Sequence, residues 1–201
     1  MRALFGRPRG DSIGQPGASL TGSQEWAQDA RVGDVARLGE VRTGRLLDAA
    51  ADRPGGFTVL HDLRVPGSRA NIDHVVVHGD RVLPVDSKVW AQGRYVTRDG
   101  VTTRDGAPFP AADSPTLTRA AARLLRVLPP HAVVEEPLLL VWPSPTAVAA
   151  PDLSGVLVPG VVVMPAEKGA AWLAGRRFRR LADPVVVAAL RELVVAGRGR
   201  G

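Results

Sequence analysis

The chain has 201 residues, 45% of them apolar, enough to bury one good core and hardly enough for two full domains. A formal net charge of +6 favours polyanionic partners, chiefly nucleic acid or an anionic membrane surface. The absence of cysteine excludes disulfides, thiolate chemistry and cysteine-based zinc sites, so any metal must sit on oxygen or histidine. No run approaches the roughly 18 consecutive apolar residues of a membrane helix. The Arg-bearing start from Met1 to Arg9 leads into Gly and Ser without an apolar signal region, so the expectation is a soluble, cytoplasmic protein with no membrane partner.

Residues 1–22 are rich in Gly, Arg, Ser and Pro without periodicity and are expected to be a disordered basic segment. Residues 23–195 read as a single domain, followed by a flexible Gly-Arg tail at 196–201. From Ser23, Trp26, Ala30, Val35, Leu38, Val41, Leu46 and Ala49 recur at spacings near three and four, which predicts a helix closed by Pro54-Gly55-Gly56. Gly33, Gly39 and Gly44 weaken that helix and are expected to divide it in two. Three extended segments follow, Phe57 to Val65, Asn71 to His78 and Arg81 to Trp90, with turn signals at Pro66-Gly67-Ser68 and Gly79-Asp80. They form an antiparallel meander, ending in a short hairpin of Arg94 to Thr97 and Val101 to Thr103 around Asp99-Gly100.

An amphipathic helix is expected over Thr116 to Leu128, with Leu117, Ala120, Ala121, Leu124, Leu125 and Leu128 on its apolar side. The runs Val133 to Trp142 and Leu153 to Met164 are apolar enough for buried strands that extend the sheet. A short helix at Glu167 to Ala174, a basic patch at Arg176, Arg177, Arg179 and Arg180, and a helix from Asp183 to Val195 complete the chain. The order predicts an α/β fold, a mixed sheet with helices on its faces.

Chemistry concentrates in Asn71-Ile72-Asp73-His74 and Val85-Asp86-Ser87-Lys88-Val89-Trp90. Two acids and a lysine stand inside apolar strands, where an unpaired charge is costly. Asp86 and Lys88 share a strand face, and a hairpin partner can bring Asp73 beside them. Facing carboxylates repel unless a cation lies between them, and hard oxygen ligands suit Mg²⁺ or Mn²⁺. Such an ion can activate water at a phosphate, with Lys88 placed to orient or deprotonate that water and to stabilise developing charge. Glu40, on the preceding helix, can reach the same ion if the helix crosses the sheet.

Gly39-Glu40, Asn71-Ile72-Asp73-His74 and Val85-Asp86-Ser87-Lys88-Val89-Trp90 with Gly93 after it resemble, in order and spacing, the nuclease-related domain (NERD), a branch of the PD-(D/E)xK nuclease superfamily. The resemblance covers residues 36–105. It implies a restriction-endonuclease-like fold, a divalent cation and DNA as substrate, with Glu40 matching the helix acid, Asp73 the first strand acid, and Asp86 with Lys88 the final acid and lysine. One departure is Pro84 inside the third strand, which predicts a sheet edge or a bulge there.

The leading expectation is therefore a metal-dependent DNA nuclease, with Glu40, Asp73, Asp86 and Lys88 catalytic and the three acids holding the metal. A catalytically weak nucleic-acid-binding domain of the same fold, or a relaxase-like strand-nicking protein for mobile DNA, are the alternatives. Oligomeric state is left open, a homodimer being one way to cut two strands. His74 is expected on the strand face opposite Asp73, in a structural or phosphate-facing role, and Trp90 in the core or at its rim. His61, His78 and His131 read as ordinary surface or loop residues, and the Arg176 to Arg180 cluster either as a backbone-tracking patch or as a solvated helix end. No phosphate-binding Gly-x-x-x-x-Gly-Lys-Ser/Thr loop and no Gly-x-Ser-x-Gly elbow is present, which disfavours ATPase and serine-hydrolase chemistry.

Overall fold

The computed structural model describes residues 9–19, 30–112, 115–175 and 181–195. In chain order these form β1 (Ser12–Ile13), α1 (Ala30–Ala51), β2 (Thr58–Arg64), β3 (Asn71–His78), β4 (Arg81–Trp90), β5 (Arg94–Arg98), β6 (Val101–Arg104) and β7 (Ala107–Pro108). There follow α2 (Thr116–Leu124), β8 (Val133–Val134), β9 (Leu138–Pro143), β10 (Asp152–Gly155), β11 (Val162–Pro165), α3 (Ala166–Gly175) and α4 (Pro184–Arg191). Among the described residues a mixed sheet runs β1-β2-β3-β4-β9-β11, with β8 also paired to β4, and a second sheet runs β10-β5-β6-β7.

The β2-β3-β4 meander is antiparallel, and β9 then adds parallel to β4. This is a restriction-endonuclease-like α/β arrangement with helices on both faces of the main sheet. Alternation sets the two faces. Val75, Val77 and Val82 point to the side covered by α2 and α4, where they meet Leu124 and Leu190. Val76, Leu83 and Val85 point to the side of α1 and α3, against Leu47 and Leu173. Among the described residues no helix is long and apolar enough to cross a membrane.

Several expectations need correction. Of the segment expected to be disordered, residues 9–19 lie on the sheet, Ser12 pairing parallel with Val59, the Gly10 amide donating to the Ala51 carbonyl at 2.9 Å and the Val59 amide to the Asp11 carbonyl at 2.8 Å. This stretch needs no core of its own because it completes the open edge of β2. Residues 1–8, 20–29 and 196–201 lie outside the described residues, as do Arg176, Arg177, Arg179 and Arg180.

The helix is not divided at its glycines; α1 is continuous from Ala30 to Ala51. Gly39 and Gly44 are instead points of close approach: a Cβ on Gly39 would stand 2.8 Å from Val89 Cγ2, and one on Gly44 2.2 Å from Pro16 Cγ. Each glycine costs roughly 1 kcal/mol of helix propensity against alanine, a cost that packing this close offsets.

Pro84 is paired with Val75 on the β3 side, and on its other side it faces the irregularity expected there: the register slips by one residue between Val82 opposite Val134 and Val85 opposite Leu138. It falls where the neighbour changes, β8 pairing with Arg81 and Val82 and β9 starting opposite Val85. A residue without an N–H is tolerated at such a gap in the ladder. The same interruption breaks the expected 133–142 strand into β8 and β9 at Glu135-Glu136-Pro137. The expected strand at 153–164 is likewise split, by a turn at Pro159-Gly160 where Gly160 has φ +69°, into β10 in the small sheet and β11 in the main one. The β5-β6 hairpin does not prolong the meander but joins that small sheet. Trp90 is buried between the two sheets, its ring stacked on Tyr95 at 4.8 Å.

Candidate active site

The site is built where two paired strands part. β3 and β4 are in register from His78 opposite Arg81 to His74 opposite Val85. Beyond that point β3 stays with β2 as far as Asn71 opposite Arg64, while β4 stays with β9 as far as Trp90 opposite Pro143. The fork leaves the Ser87 amide without a strand partner on the β3 side, and the Asp73 carboxylate fills that place, its Oδ2 accepting from Ser87 N at 2.9 Å. On β4, Lys88 Nζ donates to Asp86 Oδ2 at 2.5 Å. The Lys88 side chain remains 44% exposed, open to a bound ligand, while that of Asp86 is 17% exposed.

Glu40 comes from the other layer. α1 is fastened to the sheet by Trp142 Nε1, which donates to Thr43 Oγ1 at 2.8 Å, and the bare Gly39 lets the helix down onto Val89 and Ser87. Glu40, the next residue, thereby comes within electrostatic reach of Asp86, Lys88 and Asp73. The structure thus brings together all four residues expected from sequence.

Crowding of the acids shows in their proton affinities. Burial, then the charges of Asp62 and Asp86, push the Glu40 carboxyl up to about 8, against the opposing pull of Lys88 and Arg37. Burial, then Asp86 and Glu40, raise Asp73 well above the usual carboxylate range, although Lys88 and the Ser87 amide favour its ionised form. For Lys88, burial works against the ammonium but Asp86, Asp73 and Glu40 outweigh it, so the group is held above its ordinary value and stays charged. With the three acids free of metal, Lys88 presents an ammonium, the form suited to orienting water and stabilising developing charge.

Sequence reasoning missed two parts of this site. Asp62 is buried at φ +55°, accepts from Asn71 Nδ2 at 2.9 Å and from the Ser19 amide, and is the strongest charge acting on Glu40. His61 is no surface residue: it is 0% exposed, as is His74 directly opposite it, with their Nδ1 atoms 2.8 Å apart. His61 Nε2 lies 2.9 Å from Asp48 Oδ1 on α1, and Ser12 Oγ donates to the same carboxylate oxygen at 2.5 Å. A carboxylate only accepts, so His61 carries its proton on Nε2 and accepts at Nδ1 from His74. Burial lowers the proton affinity of both rings, and the neighbouring His61 lowers that of His74 further. This chain, buried at its two histidines and reaching solvent at Asp48 and Ser12, ties β1, α1, β2 and β3 together behind the fork. The signal was available: His61 stands among apolar strand residues, where an unpaired polar group is as costly as Asp73 would be. His131 stands at the surface, 3.0 Å from Asp183, but His78 does not: its side chain is 16% exposed and lies 3.3 Å from the carboxylate of Glu135, itself 9% exposed.

Glu40, Asp73 and Asp86 form a hard-oxygen donor set whose mutual repulsion a divalent cation would relieve, and in that chemical sense they fit Mg²⁺ or Mn²⁺. Among the described residues no three carboxylate or imidazole side chains are already drawn together tightly enough to clasp an ion. Asp86 is turned onto Lys88 and Asp73 onto the Ser87 amide.

Comparison with curated proteins and with solved structures found no match. The nuclease-related domain family matches residues 36–149, a stretch that holds α1 from its second turn, the whole fork and all four candidate residues. That match spans more than half of the chain, and the chain belongs to the nuclease-related domain family.

Proposed function

We propose that this protein is a divalent-metal-dependent nuclease that hydrolyses phosphodiester bonds of DNA. The observation that carries the reading is the convergence of Glu40, Asp73, Asp86 and Lys88 on one strand fork from two different layers of the fold. Asp73 and Asp86 would hold Mg²⁺ or Mn²⁺, with Glu40 as a third ligand from α1. Bound there, the ion supplies Lewis-acid activation of water and neutralises charge on the scissile phosphate. Lys88 presents an ammonium at the same opening, where it orients the attacking water and stabilises the phosphate oxygens as charge builds on them. Gly39 and the histidine chain hold the two layers in register. The net charge of +6 adds a general attraction for the phosphate backbone.

A second reading, a catalytically weak DNA-binding domain of the same fold, draws support from the internal partners of Asp86 and Asp73. A cleavage assay on labelled single-stranded, duplex and nicked DNA and on RNA, with Mg²⁺ or Mn²⁺ and with EDTA, separates the two. Cleavage that needs the ion and disappears in Asp86→Ala supports the nuclease. Tight binding without cleavage supports the binding domain.

A further inference from the structure

A cavity of about 250 Å³ opens beside the fork, and its composition is two-sided. Asn71, Asp86 and Lys88 line one part, while Leu117 and Ala120 from α2 and Leu139 from β9 line another. The polar part is that of the proposed active site, where a phosphate would sit. Apart from Thr116, the other part offers apolar side chains to a ligand, and burying a phosphate against them would be unfavourable. The space corresponds to roughly eight waters, enough to admit one nucleobase and far less than any section of duplex. A base offers apolar faces to such walls and lies within one nucleotide of the phosphate it follows. Within a duplex those faces are stacked on neighbours, so a base can enter only when it is unpaired and swung out.

We propose that this cavity receives one unpaired nucleobase flanking the scissile phosphate, so that the substrate is single-stranded or locally melted DNA. The assignment deepens the nuclease reading and rests on it for the position of the phosphate. Asp86 and Lys88 act on the phosphate at the cavity mouth, while Leu117, Ala120 and Leu139 hold the base and thereby set the register of the cut.

The test is an abasic scan: single-stranded oligonucleotides in which one residue at a time lacks its base, with cleavage followed in Mg²⁺ and binding in Ca²⁺. The expected result is cleavage of single strands about tenfold or more faster than of matched duplex, with one abasic position beside the cut lowering the rate by a similar factor. Leu117→Trp, which fills the cavity, should bring the intact strand down to the abasic rate and leave the abasic strand unchanged. A flat scan, or duplex cut as fast as single strands, overturns the proposal. The scan uses the unaltered protein, so it holds whether or not the variant folds. If nothing is cleaved yet binding weakens at one abasic position, and Leu117→Trp removes that dependence, the cavity assignment stands and the nuclease reading falls. If binding is also blind to the missing base, both fall.

Discussion

Asp73 Oδ2 takes the Ser87 amide at 2.9 Å at the point where β3 and β4 separate, so a side chain does there what a strand would otherwise do. The same carboxyl is pushed towards its protonated form by burial and by Asp86 and Glu40. Structure and repulsion therefore pull on it in opposite directions, and substitution can separate them. Asp73→Asn keeps an oxygen for the Ser87 amide and removes the charge. Cleavage should fall by about 10² or more, as expected when a metal ligand in the active site is lost. Metal-free stability at pH 8, measured by urea denaturation, should rise, since the substitution relieves a carboxyl that burial and its acidic neighbours push towards protonation. A drop in stability would show that the ionised carboxylate supports the fold.

The raised carboxyls also set a pH dependence. Glu40 sits at about 8 against an ordinary 4.5, and Asp73 is raised too, so both bind protons more tightly folded than unfolded. The contribution of Glu40 to stability is complete below about pH 4.5 and is lost as the pH climbs through about 8, and that of Asp73 is lost in the same direction. Metal-free melting temperature should therefore decline from pH 7 to pH 8. Mg²⁺ should offset the decline increasingly with pH, because the ion must displace those protons. Melts with and without Mg²⁺ check this, and Glu40→Gln should flatten the metal-free slope. An Mg²⁺ effect independent of pH would remove the shared-ion reading of the acids.

The fork was legible in sequence for a physical reason: Asp73, Asp86 and Lys88 interrupt runs of valine and leucine, and charged groups in half-buried strands are conspicuous. The bounds of β3 and β4 follow from the turn at Gly79-Asp80 and agree with Asn71 to His78 and Arg81 to Trp90. What was hidden depends on partners far along the chain. Ser12 has no local reason to be a strand; Val59 and Asp48 supply it. The glycines of α1 read locally as helix breakers because Val89 and Pro16, which use the space they leave, come from other elements. The split of residues 153–164 between two sheets cannot be seen in an apolar run whose periodicity suits either one.

The histidine chain predicts an acid limb of opposite sign. His61 and His74 are both held below the ordinary 6.5, so the unfolded chain takes up their protons first. Stability from the pair is complete above about pH 6.5 and falls as the pH drops below it. The gap in urea stability between the parent protein and His61→Ala should therefore narrow from pH 7 to pH 5. At pH 7, His61→Ala should cost about 2 kcal/mol or more, because it removes the buried partner of the His74 ring and leaves Asp48 with Ser12 alone. Since Ser12 shares Asp48 with His61, limited proteolysis of the variant should also cut within residues 9–19 faster than in the parent protein. A variant as resistant as the parent would show that the edge strand holds without the histidine.

Gly39 offers the sharpest separation of positioning from chemistry, because it bears no functional group and touches the site only by letting α1 approach. A methyl there would stand 2.8 Å from Val89 Cγ2, so Gly39→Ala must lift the helix or displace the valine. Lifting withdraws Glu40 from Asp73 and Asp86, and cleavage should fall about tenfold or more, as small misplacements do. Helix propensity alone would make the same change stabilising by about 0.5–1 kcal/mol, which gives the two effects opposite signs. Val89→Ala vacates the space, so the double variant Gly39→Ala, Val89→Ala should recover much of the activity lost by Gly39→Ala. Kinetics on the four members of that cycle measure the coupling directly. Additive losses, with no recovery in the double variant, would mean that contact with Val89 is not what places Glu40.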